Sequence, residues 1–176
     1  MRTLITILIL LCVSIYGNAQ NDVVRFRTMF QNASSESDFE RILETEYQDE
    51  SQKDVVIISS YKAVAHATMA KYAFNPYSKM KYFSEGRDEL EALIAQEKCI
   101  DNVFLRLILQ LNTPEFLNYH DDILQDLEYF VAHVHKSELT SEHKSFMIET
   151  ILEGKKDDLE FRALFDTLER MNDQKK

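Results

Sequence analysis

Five histidines and thirty carboxylates are the side chains in this sequence best suited to metal binding or acid–base chemistry. His133 and His135 stand two positions apart. On a helix that spacing turns the rings about 200° away from each other, whereas chelation from one helix face needs i, i+3 or i, i+4. Phe130 and Val134 bracket the pair at helical spacing, so it reads as solvated or hydrogen-bonded, with His133 on a polar side shared with Asp122, Asp126 and Tyr129. His120-Asp121-Asp122 resembles a catalytic cluster, yet the helix dipole alone favours acidic residues in a first turn. His66 sits among alanines and reads as an interior histidine. His143 follows a cap, in a first turn expected to be exposed.

No Gly-rich phosphate loop, Gly-x-Ser-x-Gly elbow, His-Glu-x-x-His pair or calcium loop occurs in the sequence. Carboxylates such as Glu89 with Glu97, or Asp157 with Asp158, act as acid and base only where their surroundings split the two pKa values, and exposed helix faces rarely do so. The expectation is a protein that is not an enzyme and carries no cofactor or metal. A different polar group lies on the otherwise apolar run "DNVFLRLILQL". Asn102, Arg106 and Gln110 recur there at helical spacing as one narrow stripe, and Lys79 with Tyr82 begins the neighbouring helix. If helical hairpins coil into a shallow superhelix, these five residues line its concave face, the surface that repeat proteins use for binding. The simpler reading pairs Arg106 with a carboxylate such as Glu89, since buried arginine is usually paired.

The elements that must position these residues are helices. Three glycines and two prolines leave little turn chemistry for a sheet, and apolar residues recur at helical spacing, so the class is all-α. Ser37-Asp38-Phe39-Glu40 fits a capping box, Asn75-Pro76 and Thr113-Pro114 each offer a cap with proline in the first turn, and Ser141 opens a further segment. Reading between these marks predicts eight helices near 22–32, 37–48, 53–74, 76–97, 102–112, 114–136, 141–153 and 156–172. Short joins predict antiparallel hairpins, coiled into a superhelix or gathered as a compact bundle. Ala63, Ala67, Ala70 and Phe74 share one face of the third helix, and small residues at that spacing let a neighbour approach closely. Met80, Phe83, Leu90 and Ile94 form a stripe on the fourth, with Gly86 beside it. The fifth is apolar nearly all round and belongs at the centre. Ile123, Leu127, Phe130 and Val134 are expected core on the sixth, and Phe161, Leu164, Phe165, Leu168 and Met171 on the last.

The run from Gly86 to Ile94, a turn at Lys98 to Asp101, and then Asn102 to Leu107 resembles the second helix of a tetratricopeptide repeat leading into the next repeat. "NPYSKMKYF" followed by this stretch is also similar to small exported bacterial proteins of the same helical-repeat type. That TPR-like resemblance implies a right-handed α-α superhelix and a scaffold or adaptor role.

Composition and the amino-terminal segment bound the setting. Arg2, an apolar run from Leu4 to Ile15, and small Gly17 and Ala19 have the layout of a cleavable secretory signal, with cleavage expected after Ala19. The run is short for a bilayer span, which takes roughly 20 residues. Residues 1–19 therefore read as a signal peptide and residues 20–176 as one α-helical repeat-like domain, exported to the periplasm or beyond the cell. Cleavage removes Cys12 and leaves Cys99 without an intrachain partner, and it is expected to be a small buried apolar residue. A net charge of −10, with no basic cluster larger than pairs such as Lys155-Lys156, repels phosphate backbones and argues against nucleic acid. The expected function is a binding or scaffold module of the bacterial cell envelope, offering a helical groove to a protein or peptide. The alternative is a helical carrier of a small apolar ligand, its cavity lined by some of the eight tyrosines and eleven phenylalanines.

Overall fold

The computed structural model describes residues 22–48, 51–154 and 161–173. The expected signal peptide, Lys155-Lys156, Asp157-Asp158 and the start expected for the last helix lie outside these residues. The described residues form eight α-helices and no strand: α1 (Asp22–Gln31), α2 (Glu36–Glu44), α3 (Gln52–Thr68), α4 (Pro76–Gln96), α5 (Ile100–Asn112), α6 (Ile123–His133), α7 (Ser141–Glu153) and α8 (Arg162–Asp173). Short 3₁₀ turns follow α3 (Met69–Lys71), α5 (Glu115–Leu117) and α6 (Val134–Lys136).

Helix starts are fixed by local hydrogen bonds. Asn75 Oδ1 accepts from Ser78 N at 2.8 Å, with Pro76 in the first turn of α4, where its missing N–H costs nothing. Thr140 Oγ1 accepts from His143 N at 3.2 Å and opens α7. The capping box of α2 starts two residues before the expected one. Ser35 is the cap, and the Asp38 carboxylate accepts from the backbone N of Ser34 and of Ser35, each at 3.1 Å. The Ser35 hydroxyl first, and then those backbone bonds, hold Asp38 below the usual carboxylate range.

The second helix, expected to reach 48, ends at Glu44, and two further helices are shorter than the periodicity predicts. The segment expected as one helix over 114–136 is broken: Thr113 closes α5, its hydroxyl donating to Leu109 O at 2.6 Å, and Pro114 is extended. Asn118 then sits in the left-handed region at φ 49°, and α6 begins only at Ile123. The third helix, expected to reach 74, tightens into its 3₁₀ turn by Met69, ahead of the extended Asn75 that proline requires. Phe74, placed by spacing on the packed face, is consequently fully exposed.

Packing follows from which helices are apolar on more than one face. α3 lies against α1, α2, α4 and α5, and α5 against α3, α4, α6 and α7. Ten of the thirteen residues of α5 are buried, as its apolar composition predicts for a central helix. One contiguous core draws on all eight helices, including Phe26, Ile42, Tyr61, Leu90, Phe104, Leu127, Ile148 and Phe165. α3 and α4 meet closely at Gly86, where a β-carbon would lie 2.4 Å from Ala63 O and 2.5 Å from Ala67 N. Ala63 and Ala67, expected to permit close approach, do so, and glycine supplies the other half of the contact.

Candidate functional site

The polar stripe of α5 is interior. Asn102, Arg106 and Gln110 are all buried, so none of the three lines an open concave face. Asn102 stabilises the start of α5: its Oδ1 accepts from Cys99 N at 2.9 Å and its Nδ2 donates to Glu97 O at 2.7 Å. Arg106 donates to Asp126 through Nε at 2.6 Å and Nη2 at 2.8 Å, and to Glu91 Oε2 through Nη1 at 2.8 Å. Asp122 lies 3.5 Å from the same Nη1. Burial opposes the charge on Arg106, but the hydrogen bonds and charge of Asp126, then the charges of Glu91 and Asp122, raise its pKa above the ordinary arginine value. The expectation of a paired arginine holds, with Glu91 in place of Glu89. Asp126, read as part of a polar surface, is fully buried. Gln110 has no hydrogen-bond partner at either amide atom.

Lys79 and Tyr82 lie elsewhere. Tyr82 is half-buried, its ring edge-on to His66 at 5.3 Å, and Lys79 is exposed near the start of α4. Of the five residues, only Lys79 lines the open space beside α4.

That space is a cavity of about 580 Å³ walled mainly by α3, α4, α5 and the α5–α6 connection, with Phe30 of α1, Phe39 of α2 and Thr150 of α7 completing it. Phe30, Val64, Ala67, Phe83, Ile108 and Leu109 supply much of its apolar lining. Lys71 and Lys79 are its charged residues, and no carboxylate lines it. Phe116 and Met80 also border it, 82% and 48% exposed. Phe74 and Tyr77, both strongly exposed, flank the lining residue Pro76. The α5–α6 connection contributes Pro114, Phe116 and Leu117, and it is tied down immediately afterwards. Tyr119 donates to the Glu91 carboxylate, its ring meets Phe83 edge-on at 6.0 Å, and His120 Nε2 bonds Thr113 O at 3.0 Å. Burial first, then the Glu91 carboxylate, pushes the Tyr119 phenol far above its usual range. The Arg106 cluster thus fixes one wall of the cavity, because Glu91 serves both Arg106 and Tyr119.

Sequence reasoning missed a second polar cluster. Asp101 on α5 accepts from Arg27 on α1 through Nε and Nη2, each at 2.8 Å, and from Tyr61 Oη on α3 at 2.9 Å. Tyr61 Oη also lies 3.4 Å from Nε2 of His143, whose Nδ1 is 3.4 Å from Gln31 Oε1. His143, expected to be exposed, is buried, and desolvation is the main cause that drops its pKa to about 4. The cluster ties α1, α3, α5 and α7 together, and its one legible signal was an acid beside Asn102 at the start of an apolar helix.

The histidines are dispersed. His133 stacks on Tyr129 at 4.1 Å and bonds its carbonyl through Nδ1 at 2.7 Å, a local helical contact. His66 is half-buried, 3.8 Å from Glu85. Among the described residues no group of three or more His, Cys, Asp or Glu is arranged to hold a metal ion. Cys99, expected to be buried, is half-buried at the cap of α5.

Helices packed around α5, with a cavity at one side, define an all-α protein. No protein-family model matches the chain, and comparison with curated proteins and with solved structures found no match.

Proposed function

We propose that this protein is a non-enzymatic binding module that carries a small apolar ligand in the cavity between α3, α4 and α5. The observation that supports this reading is the cavity itself. Its volume of about 580 Å³ lies within the range of about 300–1,000 Å³ typical of small-molecule sites. Apolar side chains with a few polar groups line it, which is the usual composition of such sites. The carrier reading gains weight over an open superhelical groove because Asn102, Arg106 and Gln110 are buried inside the fold.

Native mass spectrometry of protein purified from its own host tests the proposal. A stoichiometric small molecule, lost when Ala70, which lines the cavity, is replaced by Trp, is the expected result. Ligand-free protein that also fails to take up any apolar probe would sink it.

A second reading is a docking surface for a protein or peptide of the cell envelope, within a tetratricopeptide-like arrangement of hairpins. The exposed Phe74, Tyr77 and Phe116 around the cavity favour it, since exposed aromatic residues clustered at one place mark interaction sites. Its test is crosslinking of the tagged protein in its native envelope beside a Phe74→Ser/Phe116→Ser variant. One partner lost in the variant supports docking at this face; an unchanged pattern rejects it. The envelope setting is part of this second reading and rests on the signal-like start of the sequence. Among the described residues no helix is long and apolar enough to cross a membrane.

A further inference from the structure

The charge around the cavity specifies the ligand more closely. Across the chain, thirty Asp and Glu outnumber twenty Lys and Arg. The cavity reverses that balance, with two lysines and no carboxylate in its lining. Lys71 is the last residue of the 3₁₀ turn after α3, and Lys79 lies near the start of α4, so they stand on either side of the Asn75-Pro76 turn. Both are exposed, and neither joins an ion pair among the described residues, whereas Lys98, Arg27 and Arg106 are all paired. The first turn of α4 carries no acidic residue, so the positive end of its dipole adds to the same region.

An apolar chamber with two uncommitted cations fits a molecule with an apolar body and one anionic end. We propose that the ligand is an anion-headed, single-chain amphiphile, its tail among Val64, Phe83 and Leu109 and its head between Lys71 and Lys79. This rests on the carrier reading above and adds the charge of the head. The net charge of −10 makes the proposal discriminating, because the protein as a whole repels an anion and only a local arrangement can prefer one.

The test is calorimetric titration of the protein at low ionic strength with dodecanoate, dodecyl phosphate and dodecanol, each below its micelle or solubility limit. The wild type is compared with Lys71→Gln/Lys79→Gln and with Ala70→Trp, all checked for helicity and cooperative unfolding. We expect at least one of the two anions to bind about tenfold tighter than dodecanol. The tighter of the two identifies a carboxylate or a phosphate head. In the double lysine variant the anions should fall to the affinity of dodecanol, with dodecanol itself unchanged, and Ala70→Trp should weaken all three. Anions no tighter than dodecanol, or undiminished in the double variant, overturn the anionic head and leave the apolar carrier standing. Binding that survives Ala70→Trp places the ligand outside this cavity and overturns the inference. If none of the probes binds folded wild-type protein, the carrier reading fails with it.

Discussion

Arg106 on α5 holds Asp126 on α6 by two hydrogen bonds, with the carboxylate wholly buried and the guanidinium nearly so. Lys98 adds a third contact to Asp126 at 3.2 Å, and Glu91 and Asp122 share the arginine. Two cations thus face three carboxylates. The cluster is stable only while the arginine occupies its centre.

Arg106→Met is therefore expected to destabilise the protein by about 3–5 kcal/mol, because it leaves Asp126 buried with Lys98 alone. Arg106→Met/Asp126→Leu should recover a large part of that loss, since removing both charges removes the desolvation cost as well. Urea denaturation of the three proteins measures it. A double variant as unstable as the single one would show that the cost lies in packing rather than in stranded charge.

Gly86→Ala sets two effects of opposite sign against each other. Alanine is the better helix former by about 1 kcal/mol. Its β-carbon would meet backbone atoms of Ala63 and Ala67 at 2.4 and 2.5 Å, and backbone cannot swing aside as a side chain can. The helices must separate, so a net loss of about 1–3 kcal/mol is expected in chemical denaturation. A stabilised variant would mean that α3 and α4 are not held at this spacing.

Gln110 keeps both amide atoms buried without a partner. Gln110→Met retains similar bulk and removes the desolvated amide, so stability should stay level or rise by about 1 kcal/mol. The shift in denaturation midpoint reports it. A loss larger than that would reveal that the amide is satisfied in solution.

His143 gives the protein a pH dependence whose sign is fixed. Its pKa is near 6.5 when unfolded and about 4 when folded; desolvation and the Arg27 charge depress it, while Asp101 opposes them. Between those values the unfolded chain takes up a proton that the folded protein excludes, so stability falls as pH drops from about 6.5 towards 4. Relative to His143→Gln, the wild type should lose on the order of 2 kcal/mol between about pH 7 and about pH 4.5. Parallel pH profiles for the two proteins would contradict this.

Cys99 should be slow to alkylate. Burial, its main cause, raises the thiol to about 11 from 9.0, and the thiolate is the reactive form. Labelling of the native protein near neutral pH is expected to run about a hundredfold slower than labelling in denaturant. Comparable rates in the two conditions would show the thiol to be open to solvent.

The residues that make local bonds were readable in the sequence, and those whose partners are distant were not. Asn75-Pro76 announced the start of α4 because the cap and its acceptor lie three residues apart. Thr113-Pro114 has the same form but belongs to the end of α5. Nothing within the dipeptide tells a closing cap from an opening one, and Asn118 in the left-handed region decides the matter. The buried face of α6 and of the turn after it was legible at Ile123, Leu127, Phe130 and Val134. Asp126 was assigned to solvent because its partner stands twenty positions back in the chain, where helical periodicity carries no information. His143 and Asp101 were misjudged or passed over for the same reason. The cavity had only an indirect signal: aromatic residues crowding two proline-containing joins, at Phe74 and Tyr77 and again at Phe116.

The cavity has walls of two kinds. α3 and α4 are held at a fixed spacing by backbone contact at Gly86, so neither can be remodelled without refitting the other. Another wall is a strap of chain outside the α-helices, with one short 3₁₀ turn, running from Pro114 to the Tyr119 anchor, and its length is set by no α-helix. Lengthening or shortening that strap would re-cut the chamber for a bulkier or slimmer occupant while leaving the helical frame untouched. Part of the chamber's shape is thereby set by a stretch outside the α-helices, which can diversify while the Gly86 contact between α3 and α4 stays as it is.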